Sequence, residues 1–349
     1  MLVRRRVELR ERWNDYRTEW DIEQEIERLV SRGRTLLVGP WVSEVGFETL
    51  YWLPFLRWVM TAFSLTPDRL VAVSRGGVHA WYSGIADRYL EIWDDVDPAD
   101  FARQNAARGV TKQYEPSPLD RDIIDHAARR LGTRDFDVLH PGLMYRLFTL
   151  YWSGQRAMNF VDAHTRFSRV EAARVDAAPM IDPSRLPADY VAVKFYAARS
   201  LPDTPEVRRT LRAIVAGLAE RSDVVLLDTG LALQDDHADY ALGGGRVLSA
   251  REWMTPQTNL GVQTQIIAGA RAFVGTCGSL AWLAPRLGVD TSALHVDPSF
   301  LHAHLAVAQR AYHKLDAGRF AVADLRALTP PPVEPRPQET LPASGAAGA

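Results

Sequence analysis

One cysteine, Cys277, stands in 349 residues, and only three lysines, Lys112, Lys194 and Lys314, stand among 41 basic side chains. A lone cysteine excludes an intrachain disulfide framework and any CxxC pair for metal or redox chemistry. No stretch of about 18 apolar residues occurs, which excludes a membrane-crossing helix on length. No N-terminal segment joins a basic start, a long apolar run and a small-residue cleavage site. These absences read as a protein of the reducing cytosol, with Arg4, Arg5 and Arg6 as the one feature suited to peripheral contact at the cytoplasmic face of a membrane. The motifs GxxxxGK[ST], HExxH and GxSxG are also missing, so P-loop phosphoryl transfer, zincin hydrolysis and α/β-hydrolase chemistry have no support. Acidic residues number 43, for a formal charge of −2, and that balance speaks against a basic face for nucleic acid. The arginine bias fits a GC-rich coding genome as well as it fits a phosphate ligand.

What is present is an ordinary globular composition, 47% hydrophobic and 24% charged, in a chain longer than one core usually supports. Two domains are expected. Residues 8 to 33 place Trp13, Trp20, Ile22, Ile26, Leu29 and Val30 near one helical face, an N-terminal helix filling residues 1 to 34. Thr35 to Gly39 is a short apolar run ending in glycine, and Gly46 to Met60 reads as the helix after it. The same alternation recurs at Arg69 to Ser74, with a helical stretch through Leu90, and near Phe136 to His140. Three prolines within residues 171 to 189 mark a linker, giving a first domain over 35 to 180 and a second over 185 to 328. In the second, strands are expected at Tyr190 to Tyr196, Asp223 to Asp228, Gly245 to Ser249, Ala272 to Thr276 and Thr291 to His295, with helices near Pro205 to Glu220, Asn259 to Ala270 and Gly278 to Leu287. This is a parallel, doubly wound pattern whose ligands bind at the carboxyl ends of strands. Residues 329 to 349, rich in Pro, Ala and Gly, read as a disordered tail.

Metal-binding spacings are weak. Asp95-Val96-Asp97 and Asp135-Phe136-Asp137 have a DxD spacing, but both read as solvated turn edges. His302 and His304 diverge at i and i+2 of a helix and cannot share an ion. No metal and no tightly held cofactor is expected. The strongest local signal is Phe273 to Val289, where a buried strand ends in Gly275, Thr276, Cys277, Gly278 and Ser279 before a helix. Small residues there let a phosphate approach backbone N–H groups at a helix N-terminus. The same residues also suit a plain tight turn with a serine cap. Cys277 has no histidine or carboxylate near it in sequence and reads as a small structural residue.

At Asn259 to His295 the sequence resembles the donor-binding half of GT-B glycosyltransferases, and Gly39 to Trp58 is similar to their first strand, glycine-bearing loop and proline-containing helix. The likeness is to bacterial heptosyltransferase-like and fucosyltransferase-like enzymes of surface polysaccharide assembly. It implies an α/β fold of the GT-B kind, two Rossmann-like doubly wound domains facing each other across a cleft, and metal-independent glycosyl transfer from a nucleotide-sugar co-substrate to a glycan or lipid-linked acceptor.

Under that resemblance Lys194 and Arg199 are expected diphosphate contacts, meeting the charge that develops on the leaving group. An inverting enzyme needs a base, and Glu44 or Glu48 is the candidate. Glu48, near a helix start, also suits the dipole. Phe47 follows Gly46 where the heptosyltransferase pattern has an aspartate, so the assignment between the two stays open. Arg75, with His79 shortly after, sits at a strand end where an acidic acceptor or lipid-linked phosphate would bind. Asn259 and Gln263, one turn apart, suit ribose or sugar hydroxyls. A nucleotide-sugar 2-epimerase of the same fold and a non-catalytic nucleotide- or glycan-binding protein are the alternative functions.

Overall fold

The structure is a computed structural model; it describes residues 2–109, 112–171, 175, 179–231, 238–244, 246–299, 301–315 and 318–328, with side chains from residue 16 onward. The expectations for Arg4 to Arg6, for Gly245 and for the tail at 329 to 349 lie outside those described side chains and residues.

Two all-parallel sheets form from the alternation of apolar runs and helices. In the first, β1 (Thr35–Val38), β2 (Leu70–Ser74), β3 (Arg88–Glu91) and β4 (Phe136–Leu139) lie in the order β3-β2-β1-β4. In the second, β5 (Tyr190–Lys194), β6 (Asp223–Leu226), β7 (Val247–Ser249), β8 (Ala272–Thr276), β9 (Asp290–His295) and β10 (Phe320–Asp324) lie in the order β10-β9-β8-β5-β6-β7. Both orders start from a central first strand, run outward, and then return to its other side. That reversal creates a crevice at the carboxyl ends of β1 and β4, and another at those of β5 and β8. The central strands β2 and β5 are buried on both faces, as helix-covered parallel strands are. The architecture is therefore of the GT-B kind.

Several elements depart from the expected ones. The helical stretch expected after Gly77 is a single 3-10 turn, His79–Tyr82, followed by β3. Left-handed Gly84 (φ +69°), inside the expected stretch, turns the chain out of the helical path and toward β3. The N-terminal helix runs Leu2–Ser31 and buries Ile22, Ile26 and Val30, but Trp20 points outward, 59% exposed. The helix expected from Gly278 begins at Leu280, makes one turn to Leu283 and tightens to 3-10 through Leu287. β10 was not foreseen.

The expected helix from Gly46 contains a π turn, Glu48–Trp52, between short α segments. Its closing bond runs from the Leu53 N–H to the Glu48 carbonyl, which releases the Thr49 carbonyl from the usual ladder. The buried guanidinium of Arg286, from the second unit, donates to that carbonyl at 2.7 Å and to the Ser168 carbonyl at 3.0 Å. The two units pack closely elsewhere too. The Gly261 N–H donates to Gly76 O at 2.8 Å, Trp81 Nε1 donates to Thr264 Oγ1 at 3.0 Å, and one apolar cluster runs from Leu36 and Trp52 through to Leu283 and Ala293.

Candidate active site

A cavity of about 340 Å³ opens where the strand ends of the two sheets meet. The loop after β1 supplies Glu44, the helix beyond it Phe47 and Tyr51, and the loop after β5 Tyr196, Arg199 and Ser200. The turn after β8 supplies Cys277, Gly278 and Ser279, while Lys112 and His304 close the sides. The volume is within the roughly 300–1,000 Å³ of small-molecule sites.

The loop that carries Glu44 is held by buried polar groups. Gln113 accepts from the Val42 N–H at 3.0 Å and donates to Pro40 O at 2.9 Å, and Asn105 donates to Val42 O at 3.2 Å. Arg75, 2% exposed, donates to Trp41 O at 2.9 Å and to Ser43 O at 2.7 Å. Ser43 in turn shares a 2.6 Å hydrogen bond with Tyr145. Glu44 occupies the N-cap position of the next helix, yet its side chain makes no capping bond. It forms no other hydrogen bond or ion pair among the described residues, so a rigid loop presents an uncommitted carboxylate to the cavity.

Opposite, Gly46 approaches the second unit so closely that a Cβ there would lie 3.0 Å from the Ser279 nitrogen and 3.1 Å from the Trp282 ring. Gly278 and Ser279 both have positive φ, +138° and +40°, and a non-glycine residue there stores strain of a kind common at binding turns. The Cys277 N–H donates to Leu294 O at 2.9 Å. The N–H groups of Gly278 and Ser279 donate to no acceptor among the described residues and stand at the cavity wall. Burial pushes the Cys277 thiol up to about 12, which removes it as a nucleophile.

Lys112 lies over aromatic faces, 4.6 Å from the Trp152 ring centre and 5.2 Å from that of Phe47, with no carboxylate beside it among the described residues. His304 shares a 2.7 Å hydrogen bond with Tyr51 through Nδ1. Burial first, and Lys112 second, lower its pKa to about 4, so the ring is neutral near pH 7.

Of the residues singled out in sequence, Glu44, Arg199, Cys277, Gly278 and Ser279 converge on the cavity. The others are placed differently. Glu48 is fully buried, and its Oε1 accepts from Ser74 at 2.7 Å and Tyr82 at 2.6 Å, a packing role within the first unit. Arg75 braces the loop instead of facing a ligand, and His79 lines a separate small crevice with Gly77 and Met180. The Lys194 ammonium is buried 2.8 Å from Asp239, which neutralises it away from the cavity wall. The Thr276 hydroxyl is spent between Tyr196 N and Tyr196 O, tying β8 to β5, and a Cβ at Gly275 would sit 2.5 Å from Lys194 O. Asn259 donates to Pro256 O and Gln263 to Asn259 O, both buried in their own helix. The one-turn helix after Ser279 leaves the macrodipole little length, so the anion site rests on the free N–H groups alone. Asp97 caps a helix, Asp95 pairs with Arg130, Asp137 with Arg32 and Asp135 with Arg34, so neither DxD triplet is an open metal site. Sequence reasoning missed Lys112, Tyr51 and His304, whose only signal was a lysine among arginines and a histidine in an amphipathic helix.

No protein-family model and no curated protein matches the sequence. Among solved structures the chain is similar to the E. coli heptosyltransferase WaaC with ADP, at 14% identity and a TM-score of 0.43, over 83% of this chain and 93% of that one. It is also similar to a glycosyl transferase family 9 protein from Veillonella parvula, at 12% identity and 0.36, over 76% and 81%. A third is a putative UDP-N-acetylglucosamine 2-epimerase from Listeria monocytogenes, at 11% identity and 0.36, over 82% and 92%.

Proposed function

We propose that the protein is a glycosyltransferase that moves a sugar from a nucleotide-sugar co-substrate to a glycan or lipid-linked acceptor in cell-surface polysaccharide or related glycoconjugate assembly. The observation that carries this reading is the uncommitted Glu44 carboxylate on one wall of a cavity whose other wall offers the unused N–H groups of Gly278 and Ser279 together with Arg199. Such a cavity accepts a proton on one side and negative charge on the other. In an inverting transfer Glu44 takes the proton of the acceptor hydroxyl as its oxygen bonds to the anomeric carbon. The bond from that carbon to the diphosphate oxygen breaks, and the leaving diphosphate is met by Arg199 and the two N–H groups. The Lys112 ammonium and the neutral His304 ring border the same space and bind polar groups of donor or acceptor. Because these groups meet the leaving charge, turnover is expected to persist without added magnesium.

Thermal stabilisation by a panel of nucleoside diphosphates and nucleotide sugars, with ATP and NAD as controls, tests the reading, since a ligand of the native state raises Tm by mass action. A shift selective for one nucleoside diphosphate, followed by sugar transfer only when an acceptor is present, supports it. No shift with any nucleotide overturns it, and donor conversion without acceptor makes the protein an epimerase.

A further inference from the structure

The N-terminal helix brings Glu19 and Glu23, one turn apart, to the ring of His164, at the end of the helix Met158–Ala163. His164 is 3% exposed. Its Nδ1 lies 2.9 Å from the Phe160 carbonyl oxygen, and its Nε2 lies 3.2 Å from Glu23 Oε1 and 3.6 Å from Glu19 Oε1. A carbonyl only accepts, so Nδ1 is the donor there, and Nε2 is the ring atom turned toward the two carboxylates. Nε2 and two carboxylate oxygens therefore converge on one region, where a cation finds three ligand atoms on two separate helices.

The spacing suits a metal. With bonds of about 2.0–2.2 Å and angles between octahedral and tetrahedral, adjacent ligand atoms stand about 3.0–3.5 Å apart, close to the 3.2 and 3.6 Å that separate Nε2 from the Glu23 and Glu19 oxygens. The surroundings have the form of an outer shell. The Phe160 carbonyl fixes the tautomer and orientation of the ring, and the Arg156 guanidinium holds Glu19 Oε2 at 3.1 Å, which turns Oε1 toward His164. Glu23 is half-exposed, leaving a solvent side for water ligands.

We propose that Glu19, Glu23 and His164 form a binding site for a divalent first-row transition cation, zinc above others, which clamps the N-terminal helix to the first domain. One imidazole nitrogen and two carboxylates select such an ion over magnesium or calcium, whose shells are built of oxygen. The three residues are separate from the cavity, so the site is structural.

The test uses the full chain stripped with a chelator and titrated with cobalt(II) and then zinc. Equimolar uptake is expected, with visible cobalt bands that zinc abolishes and a Tm raised by several degrees at roughly 100-fold excess over Kd. Glu19→Gln with Glu23→Gln changes two partly exposed side chains; apo Tm should stay within a few degrees while affinity falls at least about tenfold. His164→Gln should lose the cobalt bands as well. No equimolar uptake by the wild type, uptake unchanged in the double variant, or equal stabilisation by magnesium or calcium would each overturn the proposal.

Discussion

Tyr51 and His304, 253 positions apart in the chain, share a 2.7 Å hydrogen bond that joins the π turn Glu48–Trp52 to the helix His302–Leu315 at the rim of the cavity. The pKa of His304 is lowered from 6.5 to about 4, by burial and then by Lys112, whereas in the unfolded chain it titrates near 6.5. Between those values the unfolded state binds the extra proton, so stability falls as pH drops from 6.5 toward 4 and the slope ends below it. His304→Gln keeps a partner for Tyr51 and removes the titration. Melting curves across this window should show a flatter acid limb in the variant than in the wild type.

Glu44 and Glu48 separate cleanly under substitution. Glu44→Gln is expected to lower the transfer rate by about 10²–10⁴, the usual worth of a general base, with Tm and nucleotide affinity unchanged. Glu48→Ala strands the Ser74 and Tyr82 hydroxyls in a buried pocket and should cost about 1–3 kcal/mol of stability, while the folded fraction keeps its kcat. Urea unfolding paired with initial rates reads both. A normal rate for Glu44→Gln would remove the base from the proposed mechanism.

Eight of the ten strands among the described residues were legible as short apolar runs, seven of them with buried positions of their own, since a buried parallel strand carries its signal in its own residues. The two missed ones are partly exposed, β3 with an outward Arg88 and β10 with no fully buried position. The site was half legible. Glu44 and the turn at Gly278-Ser279 follow strands directly, and position after a strand is a local property. Lys194 misled because a lysine in an apolar strand needs a partner, and that partner, Asp239, comes from a distant loop. His304 reaches the cavity only through the docking of the two units, and Lys112 through a loop that packs on Phe47 and Trp152, as Glu19 and His164 meet only through the packing of the first helix. No single-sequence spacing encodes such meetings.

Gly46 sets how closely the cavity walls approach. A valine there would push against the Ser279 nitrogen and the Trp282 ring at once, and the backbone on the far side is itself strained at Ser279. Gly46→Val should weaken binding of the stabilising nucleotide by about tenfold or more, equivalent to roughly 1.4 kcal/mol, with a smaller loss of intrinsic stability. Gly46→Ala should fall between. Calorimetric titration checks the order, and equal affinities across the three proteins would mean that the ligand does not sense this contact.

Arg286 joins the two units through main-chain acceptors. Its guanidinium is buried, and it meets the Thr49 carbonyl that the π turn releases and the Ser168 carbonyl beyond the first domain's last helix. Arg286→Leu leaves the buried Thr49 carbonyl and the part-buried Ser168 carbonyl without this donor. At about 1–3 kcal/mol for each orphan, a loss in the lower half of about 2–6 kcal/mol is expected, because Ser168 is part-buried. Arg286→Lys supplies a single point donor in place of the fork and should recover only part of it. Because Thr49 belongs to the same π turn as Tyr51, the leucine variant should also flatten the acid limb assigned to His304, as the ring loses its buried position. A leucine variant with wild-type stability and an intact acid limb would show that the π turn holds its shape without the guanidinium.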